Sequence, residues 1–205
     1  WNAQSRLAAS RVEAFVAIGE YLRMLGFSTP EIYASDVYEG LAVIEDLGNV
    51  LFAEILKDQP DTKLECDYYK IAAEVLAKLH EIKPPKTLPT PQGVWPILEF
   101  DKLALRVNAD LFIEWVPKFL GKDEYNKDIH DEWFTLTEEI IDEILTQPRA
   151  ITLRDYHAEN ILWLEDREDL ARIGLLDFQD AVYGFKAWDF TMLLHDARRD
   201  VSQDA

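Results

Sequence analysis

The chain has 205 residues, 48% of them apolar and 12% aromatic, which excludes a disordered chain and leaves material for one large domain or two small ones. Its 39 Asp and Glu against 21 Lys and Arg give a formal charge of −18, which excludes nucleic acid and anionic lipid as partners over most of the surface. The single cysteine, Cys66, excludes an internal disulfide, and no apolar run reaches the roughly 18 residues of a membrane span, so a cytoplasmic protein is expected.

Residues 11–25 read as an amphipathic helix with Val12, Phe15, Ile18, Leu22 and Leu25 on one stripe and Gly26 as a left-handed cap. Residues 31–36 and 41–46 read as two strands joined by the turn-like Tyr38-Glu39-Gly40, hence a hairpin. A boundary is expected between Gly48 and Lys57. A helix over 61–82 follows from Leu64, Tyr68, Ile71, Val75, Leu79 and Ile82 at helical spacing, and Pro84-Pro85 ends it. The segment 83–96 holds five of the nine prolines and reads as a surface connection. A helix over 97–116 is expected to turn Leu111 and Trp115 inward and to stop at Pro117. Another over 131–146 carries Trp133, Leu136, Ile140 and Ile144 on one face. Residues 150–153, 161–164 and 172–176 are short apolar runs with polar bounds, hence strands, and a last helix covers 186–199. The fold class is α+β with two lobes and a cleft near residues 45–48.

The densest polar chemistry is Arg154-Asp155-Tyr156-His157-Ala158-Glu159-Asn160, a loop between two predicted strands. Asp177 follows the apolar run Ile173-Gly174-Leu175-Leu176, with Phe178, Gln179 and Asp180 after it. Carboxylates and a carboxamide at strand ends suit a hard cation such as Mg²⁺, which takes oxygen ligands. They also suit a base that accepts a hydroxyl proton.

Asp-x-x-x-x-Asn, followed by an apolar strand that ends in Asp-Phe, resembles the catalytic and metal loops of protein kinases. The chain is more similar to the aminoglycoside phosphotransferase and choline kinase family. Arg154 to Asn160, Gly174 to Gly184, Trp188-Asp189-Phe190 and Ile44-Glu45-Asp46-Leu47-Gly48 look most like its bacterial anomeric sugar kinases, which phosphorylate N-acetylmuramate or N-acetylglucosamine. The resemblance implies a kinase-like fold, with residues 1–47 a partial N-lobe and 48–205 a mainly helical C-lobe. It implies ATP as co-substrate, Mg²⁺ as cofactor and a small-molecule acceptor. Asp155 would be the catalytic base, Asn160 and Asp177 the metal ligands, and the backbone of Glu45, Asp46 and Leu47 the adenine contact. His157 and Asp180 would touch the acceptor. Asp189 would brace the catalytic loop.

Three departures qualify the resemblance. Leu153 stands where the family usually has histidine, and Gln179 where protein kinases have glycine. Trp1 to Ser10 contain neither lysine nor glycine, so the phosphate loop and strand lysine of a kinase N-lobe are expected to be missing near Ser10–Arg11. Glu13 reads as a surface glutamate, or else as the partner of that lysine. His80, His130 and His195 read as structural or surface residues. Three alternatives stay open: an aminoglycoside or other alcohol kinase, a non-catalytic nucleotide-binding protein on the same fold, and a metal-dependent hydrolase using Asp155, His157, Asp177 and Asp180.

Overall fold

A computed structural model describes residues 12–57, 62–91, 93–122 and 125–204. The expected gap near Ser10–Arg11 lies outside them. The elements run α1 (Val12–Met24), β1 (Ile32–Asp36), β2 (Leu41–Ile44), α2 (Phe52–Ile55), α3 (Thr62–His80), β3 (Thr87–Thr90), β4 (Gly93–Pro96), α4 (Lys102–Phe119), α5 (Lys127–Ile144), β5 (Arg149–Thr152), β6 (Ile161–Trp163), β7 (Ile173–Leu175), β8 (Val182–Phe185) and α6 (Lys186–Leu194). Among the described residues the strands form four two-stranded antiparallel ladders: β1–β2, β3–β4, β5–β8 and β6–β7. The mixture is α+β, as expected.

The α1 helix ends as the sequence predicts. Gly26 has φ +87, and Phe27 N–H donates to the Leu22 carbonyl at 3.0 Å, which closes the last turn. Its inner face also meets the far end of the chain. A Cβ at Gly19 would lie 3.1 Å from the Phe178 ring, so glycine lets that ring sit against the helix. Glu13 is buried in the first turn, which overturns the surface reading.

One apolar core joins α1 (Ile18, Leu22), α3 (Tyr69, Leu76, Leu79), β5 to β7 (Ile151, Ile161, Leu175) and Leu193 of α6. The buried face of α3 is rotated from the predicted stripe. Tyr69, Ala72, Val75, Leu76 and Leu79 point inward, while Tyr68, Ile71 and Ile82 flank the core. A smaller core holds Phe100, Ala104, Leu105, Ile141, Val182 and Phe185. Cys66 is half-buried, and its Sγ donates to the Asp204 carbonyl at 3.0 Å.

Several expected boundaries move for identifiable reasons. The proline-rich connection forms the β3–β4 hairpin. Helix α4 begins at Lys102, because residues 97–100 are extended: Phe100 N–H donates to the Tyr183 carbonyl at 3.1 Å, and Tyr183 N–H to Leu98 at 2.8 Å. Asp101 then caps the helix by accepting from Ala104 N–H at 3.0 Å. Pro117 lies inside the last turn rather than ending the helix before it. Leu111 and Trp115 are exposed, 41% and 59%, and so are Leu136 and Ile140 of α5. Helix α5 starts at Lys127, where Asn126 caps Ile129 N–H at 3.0 Å. Strand β8 was not anticipated. The last helix stops at Leu194, and Asp196 then turns the chain by accepting from Arg198 N–H at 2.9 Å.

Candidate active site

The loop from Leu153 to Asn160 connects β5 to β6, and its shape is fixed from beneath by a buried carboxylate. Asp189 of α6 accepts Leu153 N–H at 2.7 Å and Arg154 N–H at 2.9 Å. Burial pushes its carboxyl up to about 7, Asp155 adds to the rise, and the two amides and Arg154 pull the other way. Arg154 has φ +78, a left-handed backbone that non-glycine residues rarely adopt. It is held there at three points. Its N–H binds Asp189, its carbonyl accepts from Trp188 Nε1 at 3.3 Å, and its guanidinium lies 3.9 Å from Asp180. Tyr156 is buried and donates to the Ala72 carbonyl of α3 at 3.0 Å, which ties the loop to the core helix.

Asp155 is half-buried between these two anchors. Its own carbonyl accepts from Asn160 Nδ2 at 3.0 Å. His157 Nε2 lies 3.2 Å from the same nitrogen, within hydrogen-bond reach. The imidazole is 3% exposed, so it faces Asn160 from inside the loop rather than an open cleft. With the NH₂ group committed to the Asp155 carbonyl, the Asn160 carbamoyl oxygen is directed elsewhere.

The β6–β7 ladder brings the second motif to the first. Ile161 pairs with Leu175, and Leu176 N–H donates to the Asn160 carbonyl at 3.0 Å. Asn160 and Asp177 therefore share one end of the hairpin. Asp177 is exposed, has φ +53, and accepts from Gln179 Nε2. Left-handed aspartate and arginine on adjoining loops are the kind of local strain that persists where surrounding contacts over-determine it. Among the described residues no group of three or more His, Cys, Asp or Glu could hold a metal ion. A Mg²⁺ shared with phosphates needs only one or two protein oxygens, and Asn160 with Asp177 supplies that donor set.

The 44–48 segment lies toward the other end of the hairpin. Glu45 N–H donates to the Glu31 carbonyl at 2.7 Å, and its side chain accepts from Arg167 Nη2 at 2.7 Å. Asp46 accepts from Gly48 N–H at 2.8 Å, and Leu47 is half-buried. From there the chain runs beside β6. Trp163 N–H donates to Val50 at 2.8 Å, Leu51 bridges to Leu162, and Ala53 N–H donates to Ala158 of the Leu153–Asn160 loop at 3.0 Å. Sequence reasoning missed the Arg167–Glu45 pair and the Tyr156 anchor, because neither partner is near in sequence. The burial of Glu13 could have been read from its place in the first apolar turn.

A kinase-like phosphotransferase fold is what these loops and ladders define. A profile of the phosphotransferase enzyme family matches residues 3–205, and the chain belongs to that family. It is 42% identical over 204 residues to the N-acetylmuramate/N-acetylglucosamine kinase of Caulobacter vibrioides, a match covering 100% of this chain and 55% of that protein. It is 31% identical over 184 residues to the kinase of the same name from Pseudomonas putida, covering 89% and 49%. The chain thus spans about half the length of the curated relatives it matches. Among solved structures, the ADP-bound aminoglycoside phosphotransferase APH(2'')-Ib superposes with a TM-score of 0.59 at 16% identity, covering 93% of this chain and 62% of that one. A choline/ethanolamine kinase family protein from Mesorhizobium loti gives 0.58 at 18% identity, covering 94% and 56%. These likenesses establish the fold. No helix among the described residues is long and apolar enough to cross a membrane.

Proposed function

We propose that this chain carries the acceptor and metal side of an ATP- and Mg²⁺-dependent kinase that moves the γ-phosphate to a hydroxyl of an amino sugar, N-acetylmuramate or N-acetylglucosamine. The supporting observation is the Leu176 to Asn160 bond, which puts Asn160 and Asp177 at one hairpin end with the braced Asp155 loop attached. The names of the 42% and 31% identical relatives support the choice of acceptor.

In this reading Asp155 accepts the proton of the acceptor hydroxyl. Asn160 and Asp177 would hold Mg²⁺, whose charge would neutralise the phosphates. His157 orients the Asn160 carboxamide, and Asp180, paired with Arg154, borders the acceptor. Asp189 keeps the two loop amides in place. The backbone from Glu45 to Leu47 binds the adenine, at the opposite end of a hairpin whose β6 strand spans roughly 10 Å. Buried Glu13 stands where kinases pair a helix glutamate with the strand lysine. Residues 1–47 belong to the N-lobe and 48–205 to the C-lobe, and the reaction is cytoplasmic. Such chemistry is mostly positioning and charge neutralisation, because phosphoryl transfer asks little covalent work of the protein.

The test is Mg-ATP turnover by the full-length protein against N-acetylmuramate, N-acetylglucosamine, an aminoglycoside and choline. ADP release with the two amino sugars is expected. Transfer to the aminoglycoside or choline alone would move the protein to another branch of the family. Failure to bind Mg-ATP at all would favour a non-catalytic role.

A further inference from the structure

We propose that Arg167 is a positioning residue for the nucleotide, acting through Glu45 on the backbone that carries the adenine. The inference rests on the reading of Glu45 to Leu47 as the adenine edge. Its observation is a separate one: the Glu45 carboxylate is held from both sides of the segment.

On the near side, Glu45 Oε2 accepts Glu31 N–H at 3.0 Å and lies 3.6 Å from Arg23 Nη1. Arg23 is further committed to the Thr29 carbonyl at 3.0 Å and to Glu31 at 3.5 Å. Arg23 lies on α1, and Thr29 and Glu31 lie in the segment before β1, so these contacts tie Glu45 to the elements that precede it. On the far side, Glu45 Oε1 accepts Arg167 Nη2 at 2.7 Å. Arg167 comes from the turn between β6 and β7, 122 residues away in sequence.

That turn is firmly made. Arg167 N–H donates to the Leu164 carbonyl at 3.2 Å, and its own carbonyl accepts from Arg172 Nε at 2.9 Å. Arg172 in turn lies 5.2 Å from the centroid of the Trp163 ring. Arg167 therefore reaches Glu45 from a rigid base on the hairpin that also carries Asn160 and Asp177.

The crossing segment is thus pinned twice to one hairpin. The side chain of Glu45 fixes its start, and the main chain of Val50 and Leu51 fixes its end on β6. Between the pins, Asp46 closes a local turn onto Gly48, which has φ +81. Ser28, ahead of Glu31, is also held on β7, with Leu175 N–H donating to its carbonyl at 2.8 Å, so release of the first pin loosens the Glu45 end of the adenine edge without detaching it. A half-exposed ion pair adds little to overall stability, so the loss should be read in nucleotide affinity and not in folding. The side chains of Arg167 and Glu45 are 28% and 25% exposed, which keeps both open to this test.

The experiment uses the full-length protein. Mg-ATP binding is measured by calorimetry, and steady-state constants are measured for ATP and the acceptor. Arg167→Met keeps the apolar stem and removes the fork. It should raise the Kd and KM for ATP roughly five-fold while kcat and the acceptor KM stay within about two-fold. Arg167→Lys should recover part of the loss, because charge survives without the fork. Glu45→Gln should act in the same direction, and the double variant should be no worse than the worse single one. Unchanged ATP affinity in Arg167→Met, in a parent that binds Mg-ATP, overturns the inference alone. So does additive behaviour of the two substitutions, or a joint fall of kcat and Tm, which marks a merely structural role. A parent that does not bind Mg-ATP overturns the nucleotide reading and this inference with it.

Discussion

The Leu153–Asn160 loop and the α4–α5 pair are held together in opposite ways. The loop has irregular backbone, including a left-handed arginine, yet its contacts are buried: Asp189 lies beneath two of its amides, and its Tyr156 donates to Ala72 of α3. The helical pair has regular backbone, yet it is joined by half-exposed polar and aromatic groups. Arg106 reaches Glu138 at 2.7 Å, also donates to Thr137, and stacks 4.4 Å from the centroid of Phe134. Phe112 stacks on Trp133 at 5.0 Å. Irregular backbone persists where surrounding contacts over-determine it, and Asp189 and Tyr156 supply those contacts here. Regular helices satisfy their own backbone, so the side chains joining them can stay near water. Substitutions should therefore act on chemistry and acid-base balance in the first region, and only on modest stability in the second.

The largest expected effect is on Asp155. Replacement by alanine removes the proposed proton acceptor and should lower kcat on the order of 10²- to 10⁴-fold while leaving Mg-ATP binding intact. The measurement pairs ADP release with calorimetric nucleotide titration. Near-normal turnover would sink the assigned role and with it the claim that the braced loop exists for chemistry.

The next effect is a pair of opposed pH slopes around α6. Asp189 has its carboxyl raised to about 7 from 3.8, mainly by burial. The unfolded chain releases this proton near 3.8 and the folded chain keeps it to about 7, so this group's stability contribution is lost as pH rises through that window. His80 behaves in the reverse sense. It is buried, its ring centroid lies 5.7 Å from that of Phe190, and burial, with Lys186 adding, lowers it from 6.5 to about 4. The unfolded chain then takes up a proton first, and stability is lost as pH falls from 6.5 toward 4. The Asp189 contribution is on the order of 4 kcal/mol and that of His80 on the order of 3, so in the parent they cancel in part. Denaturant unfolding from pH 4 to 7 should show that Asp189→Asn, relative to the parent, gains stability with rising pH. His80→Leu should show the opposite difference. Parallel profiles for all three proteins would mean that neither group titrates as its burial requires.

The two regions also differ in how legible they are from sequence. Asp155, Asn160 and Asp177 stand out because the family resemblance rests on residue types at fixed spacing. Asp189 could be named as a brace because its motif sits on the next helix. The phosphotransferase family and the α+β class follow from the same residues. The helical pair misleads for a physical reason. Periodicity shows that Leu111, Trp115, Leu136 and Ile140 share faces, but it cannot show which face meets the core. Those four are exposed, and Thr137 and Ile141 point inward instead. The start of α4 was hidden because residues 97–100 pair with β8, a tertiary contact that local propensity does not encode. Arg167 was invisible because its partner lies 122 residues away.

The smallest effect expected is at Arg106, and it tests the second half of the comparison. Its side chain is 13% exposed and gathers Glu138, Thr137, Asp110 and the Phe134 ring from both helices. Arg106→Met keeps the stem over Phe134 and removes the charge and the fork. Glu138 and Asp110 retain access to water and can rehydrate, and buried Thr137 keeps its bond to the Trp133 carbonyl, so the loss should stay small. A fall in Tm of about 2–4 °C is expected, with the ATP KM unchanged. Arg106→Lys should recover only part of the Tm, since a point charge cannot serve Thr137 and Glu138 together. A collapse of the fold would show that this junction is as over-determined as the Leu153–Asn160 loop. A raised ATP KM would show that the helical pair is coupled to the nucleotide end of the hairpin, and the division drawn between the two regions would fail.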